Sequence, residues 1–213
     1  MASGPAPSVP RPRRRYSMTS PFLSELAKAQ PNPGGGAAAA HGALLALALL
    51  EKVIRLELQR PSQKTQPINP WQERLAQTLR LKAELLHLRV ADDQAYLTMA
   101  SRQVTGNTGA ALLAAIREAV EVPLSIVRKA EEALALVSIA SKKCRIHLLS
   151  DLRVAGEFLS AAIRGACHIA RANLPLIKET APREELAAIL AQACSQGQAT
   201  LLRVHQELAA RGG

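Results

Sequence analysis

The sequence predicts an all-α fold, a bundle of about six helices, and three observations carry that prediction. Apolar residues recur at three- and four-residue spacings over long segments, the period of an amphipathic helix. Ala and Leu dominate while aromatic residues make up only 2% of the chain, which favours helix over strand. Breaks rich in proline and glycine divide the 213 residues into long segments, and the total length suits one domain with its own core.

The expected helices run over residues 20–29, 36–59, 70–104, 109–141, 150–174 and 182–210, with breaks at 30–35, 61–70, 105–108, 141–149 and 175–182. No internal repeat is visible. Pro123 falls inside the fourth helix, where it should remove one backbone hydrogen bond and bend the axis. Gly156 and Gly165 fall in the fifth beside Ala155, Ala161, Ala162 and Ala166, a run of small residues that lets a neighbouring helix approach closely. Tight packing and the shaping of a site explain these two features equally well. Leu186, Ile189, Leu190, Leu201, Leu202, Val204 and Leu208 are the packing candidates of the last helix, which Gly197 interrupts without evident reason.

The net charge of +10 and the pI near 10.2 fit an anionic partner. Part of that charge is local: Arg11, Arg13, Arg14 and Arg15 lie among Pro5, Pro7, Pro10 and Pro12, a composition unable to bury a core. Residues 1–18 are therefore read as a disordered basic tail and 19–213 as the helical domain. No apolar segment follows the arginines as an export signal requires. The longest apolar run, 37–50, contains His41, ends at Glu51 and Lys52, and is shorter than the roughly 20 residues of a membrane span. A soluble protein without membrane contact is expected. Cys144, Cys167 and Cys194 are odd in number and lack CxxC spacing, which fits reduced thiols in a cytoplasm. The five histidines are scattered, so no metal site is expected. Phe22, Phe158, Tyr16, Tyr96 and Trp71 are scattered too and form no stacking platform, which confines nucleic-acid contact to non-specific attraction through the tail.

Three features are suited to chemistry. Pro31-Asn32-Pro33-Gly34-Gly35-Gly36 leads directly into an Ala-rich helix; glycines let backbone approach a ligand, and the free amides of a helix start favour an anion, although a loop that merely starts a helix has the same look. Asp92 shares a face with Leu81, Leu85, Leu88, Tyr96 and Met99. A carboxylate on such a stripe is desolvated and its pKa rises, a property suited to acid or base work. Asp93 faces Leu86, Val90 and Leu97, and periodicity alone does not say which of the two points inward. Ser150-Asp151 heads the fifth helix, where Asp151 lines up with Val154, Ala155, Phe158 and Ala162; an ordinary N-cap is the competing explanation. Phosphate-loop, nucleophile-elbow and HExxH patterns are absent.

Taken in order, these pieces resemble the cyclodeaminase/cyclohydrolase family of folate enzymes. They are Phe22-Leu23 and Pro33-Gly34-Gly35-Gly36-Ala37-Ala38-Ala39, then Asp92 with Ala95-Tyr96, then Val122-Pro123-Leu124. Ser150-Asp151 with Val154-Ala155, Arg164-Gly165-Ala166, and Arg171, Asn173 and Leu174 complete the series. The resemblance covers roughly residues 20–180. It implies an up-and-down bundle, a homodimer, and a tetrahydrofolate derivative as substrate, with no prosthetic group. The substrate would lie in a groove near the glycine loop and the two aspartates. Asp92 and Asp151 would be catalytic; Gly34, Gly35, Gly36, Ser150, Arg164, Arg171 and Asn173 would bind substrate, the arginines through its glutamate carboxylates. Arg55, Ile169 and the segment 144–149 depart from the family pattern, each replacing polar groups expected near that site. The competing reading is a non-catalytic helical dimer that keeps the scaffold as a ligand- or partner-binding module.

Overall fold

A computed structural model describes residues 21–61, 69–105 and 109–211; the basic tail lies outside the described residues. Among them six α-helices follow one another: α1 (Pro21–Leu26), α2 (Gly35–Leu58), α3 (Pro70–Val104), α4 (Ala110–Lys143), α5 (Leu149–Asn173) and α6 (Thr180–Arg211). Single 3₁₀ turns at Ile146–Leu148 and Leu174–Leu176 precede and follow α5. The six helices stand where the apolar spacing predicts them. The largest differences are at α1, which is shorter than expected, and at α6, which starts at Thr180 and so takes Pro182 into its first turn, where a missing N–H costs nothing.

Helices α2, α3, α4 and α5 form a four-cornered, up-and-down bundle in which each packs on the next and α5 closes back on α2. Helix α6 lies outside this square, across α4 and α5. Local signals set the helix starts. Asn69 caps α3 by accepting a hydrogen bond from the Trp71 amide at 3.0 Å, with Pro70 in the first turn. The contact between α2 and α5 is built from small residues, Ala39, Ala43 and Ala46 on one side and Ala155, Ala162 and Ala166 on the other, all buried in one core with Leu47, Leu50, Leu134, Leu152 and Leu159. Gly165 stands against Ala39, so the small-residue run of α5 does serve packing. Gly197 now has its reason as well: a Cβ there would lie 2.9 Å from Ile163 Cγ2 and 3.2 Å from Glu131 Oε1, so α6 needs glycine to reach α5 and α4.

Glu57, completely buried at the far end of α2, ties α2 to the segment between α4 and α5. It accepts hydrogen bonds from Arg145 N, Arg145 Nε and Arg60 Nη1, each at 3.0 Å. Burial alone would push its pKa up, but these donors outweigh it and hold the carboxyl below its ordinary range.

Two expectations change. The helix containing the apolar run 37–50 extends over Gly35–Leu58 and is long and apolar enough to cross a bilayer by length and composition; its most apolar face, including Ala40, Leu47 and Leu50, is spent on the bundle core. The cysteines are not all free thiols: Cys167 of α5 and Cys194 of α6 are joined in a disulfide, while Cys144 is a buried free thiol. Parity and spacing say nothing about two cysteines that adjacent helices bring face to face.

Candidate functional site

The first turn of α2, the middle of α3 and the C-terminal end of α5 meet around a cleft of about 220 Å³. Gly34, Gly35 and Gly36 form one wall, Asp92 and Tyr96 a second, and Ile169, Ala172 and Asn173 a third. Asp92, 9% exposed, is the inward carboxylate of the Asp92-Asp93 pair. Its Oδ2 accepts a 2.9 Å hydrogen bond from the Ala37 amide, one of the first-turn N–H groups that a helix cannot satisfy by itself. The approach requires Gly36. A Cβ at that position would lie 2.0 Å from Asp92 Oδ1 and 2.5 Å from Oδ2, inside any permitted contact. The glycine loop and the α3 carboxylate therefore form one unit.

Burial pushes the Asp92 pKa up to about 6; the Ala37 N–H opposes that shift and the neighbouring Asp93 carboxylate adds to it. Near neutral pH such a group is present in both protonation states, and can give or take a proton. Asp93 fixes the loop from its outer side. Its carbonyl accepts from Asn32 Nδ2 at 3.2 Å, and burial raises its own carboxyl while the Gly34 amide and Arg89 oppose the shift.

Pro123 supplies the third side. It lies buried within α4 and has no N–H, so the Ala119 carbonyl one turn earlier loses its helical donor. Asn173 Nδ2 takes that place, donating to Ala119 O at 2.8 Å. The proline is thus site-shaping: it frees a carbonyl that anchors Asn173 at the cleft wall. Ile169 packs its side chain directly over Gly35, so this wall is apolar. Ala119 and Ala172 carried no signal of their own in the sequence, whereas Ile169 stood out as a departure from the family pattern and does line the cleft; Pro123 was the available pointer to Ala119.

At the loop's entrance, Phe22 of α1 stacks on His41 of α2 with ring centroids 4.3 Å apart, and the Arg89 guanidinium lies 5.1 Å over the same phenyl ring. Burial, then Arg89, depresses the His41 pKa. Phe22 thus fastens α1 to α2 and α3 ahead of the glycine loop, while Leu23 is exposed.

The remaining expected residues lie elsewhere. Ser150 and Asp151 are in the first turn of α5, while the cleft is at its last turns; the 18 residues from Asp151 to Ile169 span about 27 Å along a helix axis. One chain therefore does not bring Asp151 beside Asp92, and the groove containing both aspartates is not formed within it. Neither residue caps α5, whose N-cap position is Leu148, without a side-chain bond. Asp151 pairs with Lys52 Nζ at 2.9 Å. Arg164 and Arg171 are exposed on α5 outside the cleft wall, and Arg164 donates to Ser160 Oγ. Among the described residues no three His, Cys, Asp or Glu side chains converge as metal ligands.

Comparison with known proteins points one way. The formiminotransferase-cyclodeaminase family model matches residues 18–192. A methenyltetrahydrofolate cyclohydrolase of Methylorubrum extorquens is 27% identical over 184 residues, covering 81% of this chain and 88% of that protein. The crystal structure of formiminotetrahydrofolate cyclodeaminase from Thermotoga maritima superposes with a TM-score of 0.79 at 22% identity, covering 89% of this chain and 94% of that one, and so shares the fold. With the match extending over most of the bundle and across every wall of the cleft, the chain belongs to the formiminotransferase-cyclodeaminase family.

Proposed function

We propose that this protein is a folate-dependent one-carbon enzyme, a formimidoyltetrahydrofolate cyclodeaminase or methenyltetrahydrofolate cyclohydrolase, acting as a cytoplasmic homodimer without a prosthetic group. The observation that carries this reading is Asp92: a carboxyl buried against the glycine-started helix, titrating near 6, in a cleft whose walls all fall within the family match. In cyclodeamination the folate N10 attacks the formimino carbon on N5 and ammonia leaves. In cyclohydrolysis water attacks the cyclic methenyl carbon. Either reaction moves a proton beside a delocalised cation, which a carboxyl with a pKa near the working pH can accept or return while its charged form stabilises the cation.

The cleft is smaller than the roughly 300–1,000 Å³ that encloses a whole drug-sized ligand, so it takes the ring end. Gly34, Gly35, Gly36 and Asn173 position that end, and the tail runs outward along α5, where Arg164 and Arg171 meet its glutamate carboxylates. Asp92 is then the proton-transfer group of this cleft. Asp151, paired with Lys52, and Ser150 lie at the other end of α5, outside the ring site.

The second reading, a scaffold that binds without turnover, is favoured by Ile169 over the glycine loop and by the separation of Asp151 from Asp92. Incubation with 5,10-methenyltetrahydrofolate, following the loss of its near-ultraviolet absorbance, separates the two. Turnover abolished by Asp92→Asn supports the enzyme. Binding of a folate with neither hydrolysis nor cyclodeamination of a formimino substrate would establish the second reading instead.

A further inference from the structure

The cleft carries one acid and no base. The chain has 27 lysines and arginines and a net charge of +10, yet among the described residues that line the cleft there is no Lys, Arg or His; the polar side chains are those of Asp92, Tyr96, Asn32 and Asn173. The free amides of a helix start favour an anion, but here the protein supplies that anion itself, since Asp92 Oδ2 takes the Ala37 amide. The charge left unmatched in the cleft is the carboxylate's, and burying a charge is costly until it is paired. The ligand that complements this site is therefore a cation.

Tyr96 gives such a cation a second attraction. Aromatic rings are scarce in this chain, and each other described one is spent on the protein: Trp71 is 5% exposed, Phe158 packs on the main core, and Phe22 stacks on His41. Tyr96 is 39% exposed and lines the cleft, and among the described residues no other ring or cation packs on it. Its neighbours Ala95 and Met99 are buried, so the stretch of α3 that carries it is firmly seated. Tyr96 follows Asp92 by four residues, one helical turn or about 6 Å along the axis. Helical side chains at that spacing lie on one face and lean towards the N-terminus, so ring and carboxyl share one wall of the cleft. The π face of an aromatic ring attracts positive charge, most of all where water is excluded. We propose that the Tyr96 ring stacks on the planar, positively charged one-carbon bridge of the ligand and, together with Asp92, makes the cleft select a delocalised cation over a neutral ligand of the same size. This rests on the folate reading above and adds the charge state that the site recognises and the residue that reads it.

The test is equilibrium binding to the full chain carrying Asp92→Asn, which keeps an acceptor for the Ala37 amide and removes the proton-transfer group, so that the ligand stays intact. Two ligands of nearly equal size are compared: 5,10-methenyltetrahydrofolate, a cation at its one-carbon bridge, and 5-formyltetrahydrofolate, neutral there. Tyr96→Phe keeps the ring and should keep the ratio of the two dissociation constants within about 2-fold, whereas Tyr96→Leu and Tyr96→Met should weaken the cation about 5- to 30-fold more than the neutral ligand. Helical circular dichroism checks that each variant is folded, and the two non-aromatic side chains guard against the failure of either one. With Asp92 intact, kcat/KM for the methenyl ligand should fall in the same order. Equal losses for the two ligands, or none, would overturn the stacking role and leave the folate reading standing. A loss in Tyr96→Phe as large as in Tyr96→Leu would make the hydroxyl the recognising group and overturn it too. A chain with Asp92 and Tyr96 both in place that binds neither ligand would overturn the folate reading, and this inference with it.

Discussion

Gly36→Ala tests whether the glycine loop and Asp92 are one unit, because its cost depends on a single neighbour. By local preference the change should help, alanine in a helix being worth about 0.5–1 kcal/mol over glycine. The new methyl carbon, however, would lie 2.0 Å from Asp92 Oδ1. The carboxylate must move and give up its bond to the Ala37 amide, worth about 1.5–3 kcal/mol for an acceptor that carries charge. Displacement within a packed region adds about 1–3 kcal/mol. The net loss is about 3 kcal/mol, a fall in midpoint of roughly 6–12 °C for a chain of this size. In an Asp92→Ala background the obstacle is gone, and Gly36→Ala should be neutral or slightly stabilising. Urea denaturation of the four proteins gives the coupling directly as a double-mutant cycle, expected on the order of 3 kcal/mol with an unchanged slope. Equal costs of Gly36→Ala in the two backgrounds would show that the close approach does not govern the loop.

Three more outcomes follow from the same geometry. Asp92 binds a proton more tightly when folded, at about 6 against 3.8 for the free group, so its contribution to stability is lost as pH rises through that window; Asp92→Asn should therefore gain over wild type between about pH 4 and pH 7 in paired thermal melts. Glu57→Ala removes the buried acceptor of the Arg145 amide and of the half-exposed Arg145 and Arg60 guanidiniums and should cost about 1–3 kcal/mol by denaturant titration, whereas an exposed change such as Glu73→Ala should stay within about 0.5 kcal/mol. Asn173→Ala strips the donor from the Ala119 carbonyl and should cost about 1–2 kcal/mol, and less in a Pro123→Ala background, where the backbone amide gained at that position restores the helical bond; an undiminished cost there would disconnect the proline from the asparagine.

Helix positions were legible because five of the six helices run for 24 residues or more, long enough for apolar spacing to outweigh any single residue. The glycine loop and Asp92 were legible for a related reason: a carboxylate on an apolar stripe and a triple glycine before an alanine run are both costly without a partner, and each proved to be the other's partner. Asp92 and Asp93 could not be told apart beforehand, since α3 carries apolar residues on two sides and either aspartate falls on one of them. That ambiguity has the same origin as the apolar residues α3 leaves exposed, Leu79, Leu86, Val90 and Leu97. Asp151 could not be placed either. Periodicity shows that it faces Val154 and Ala155, but the end of α5 that meets the glycine loop is decided by the antiparallel packing of α2 and α5, which no local pattern records. The Cys167–Cys194 pair was missed for the same reason, since it depends on which helices become neighbours.

The location of the cleft follows from what helices leave unfinished. A bundle satisfies its backbone everywhere except at helix ends and at prolines. Here three such defects fall together: the free amides at the start of α2, the carbonyl that Pro123 releases within α4, and the last turn of α5. Asp92 answers the first and Asn173 the second, each committing one polar atom to backbone and retaining another. A side chain fixed in this way points its remaining atom without further ordering cost, which is the pre-organisation that proton transfer and ligand positioning need. Ile169 and Ala172 line the same cleft as Asp92 with apolar surface, and apolar surroundings favour the uncharged carboxyl. The apolar wall and the titrating carboxyl are therefore coupled: replacing Ile169 with a polar residue would draw the Asp92 pKa back towards the ordinary carboxylate range, even though the two side chains lie on different helices.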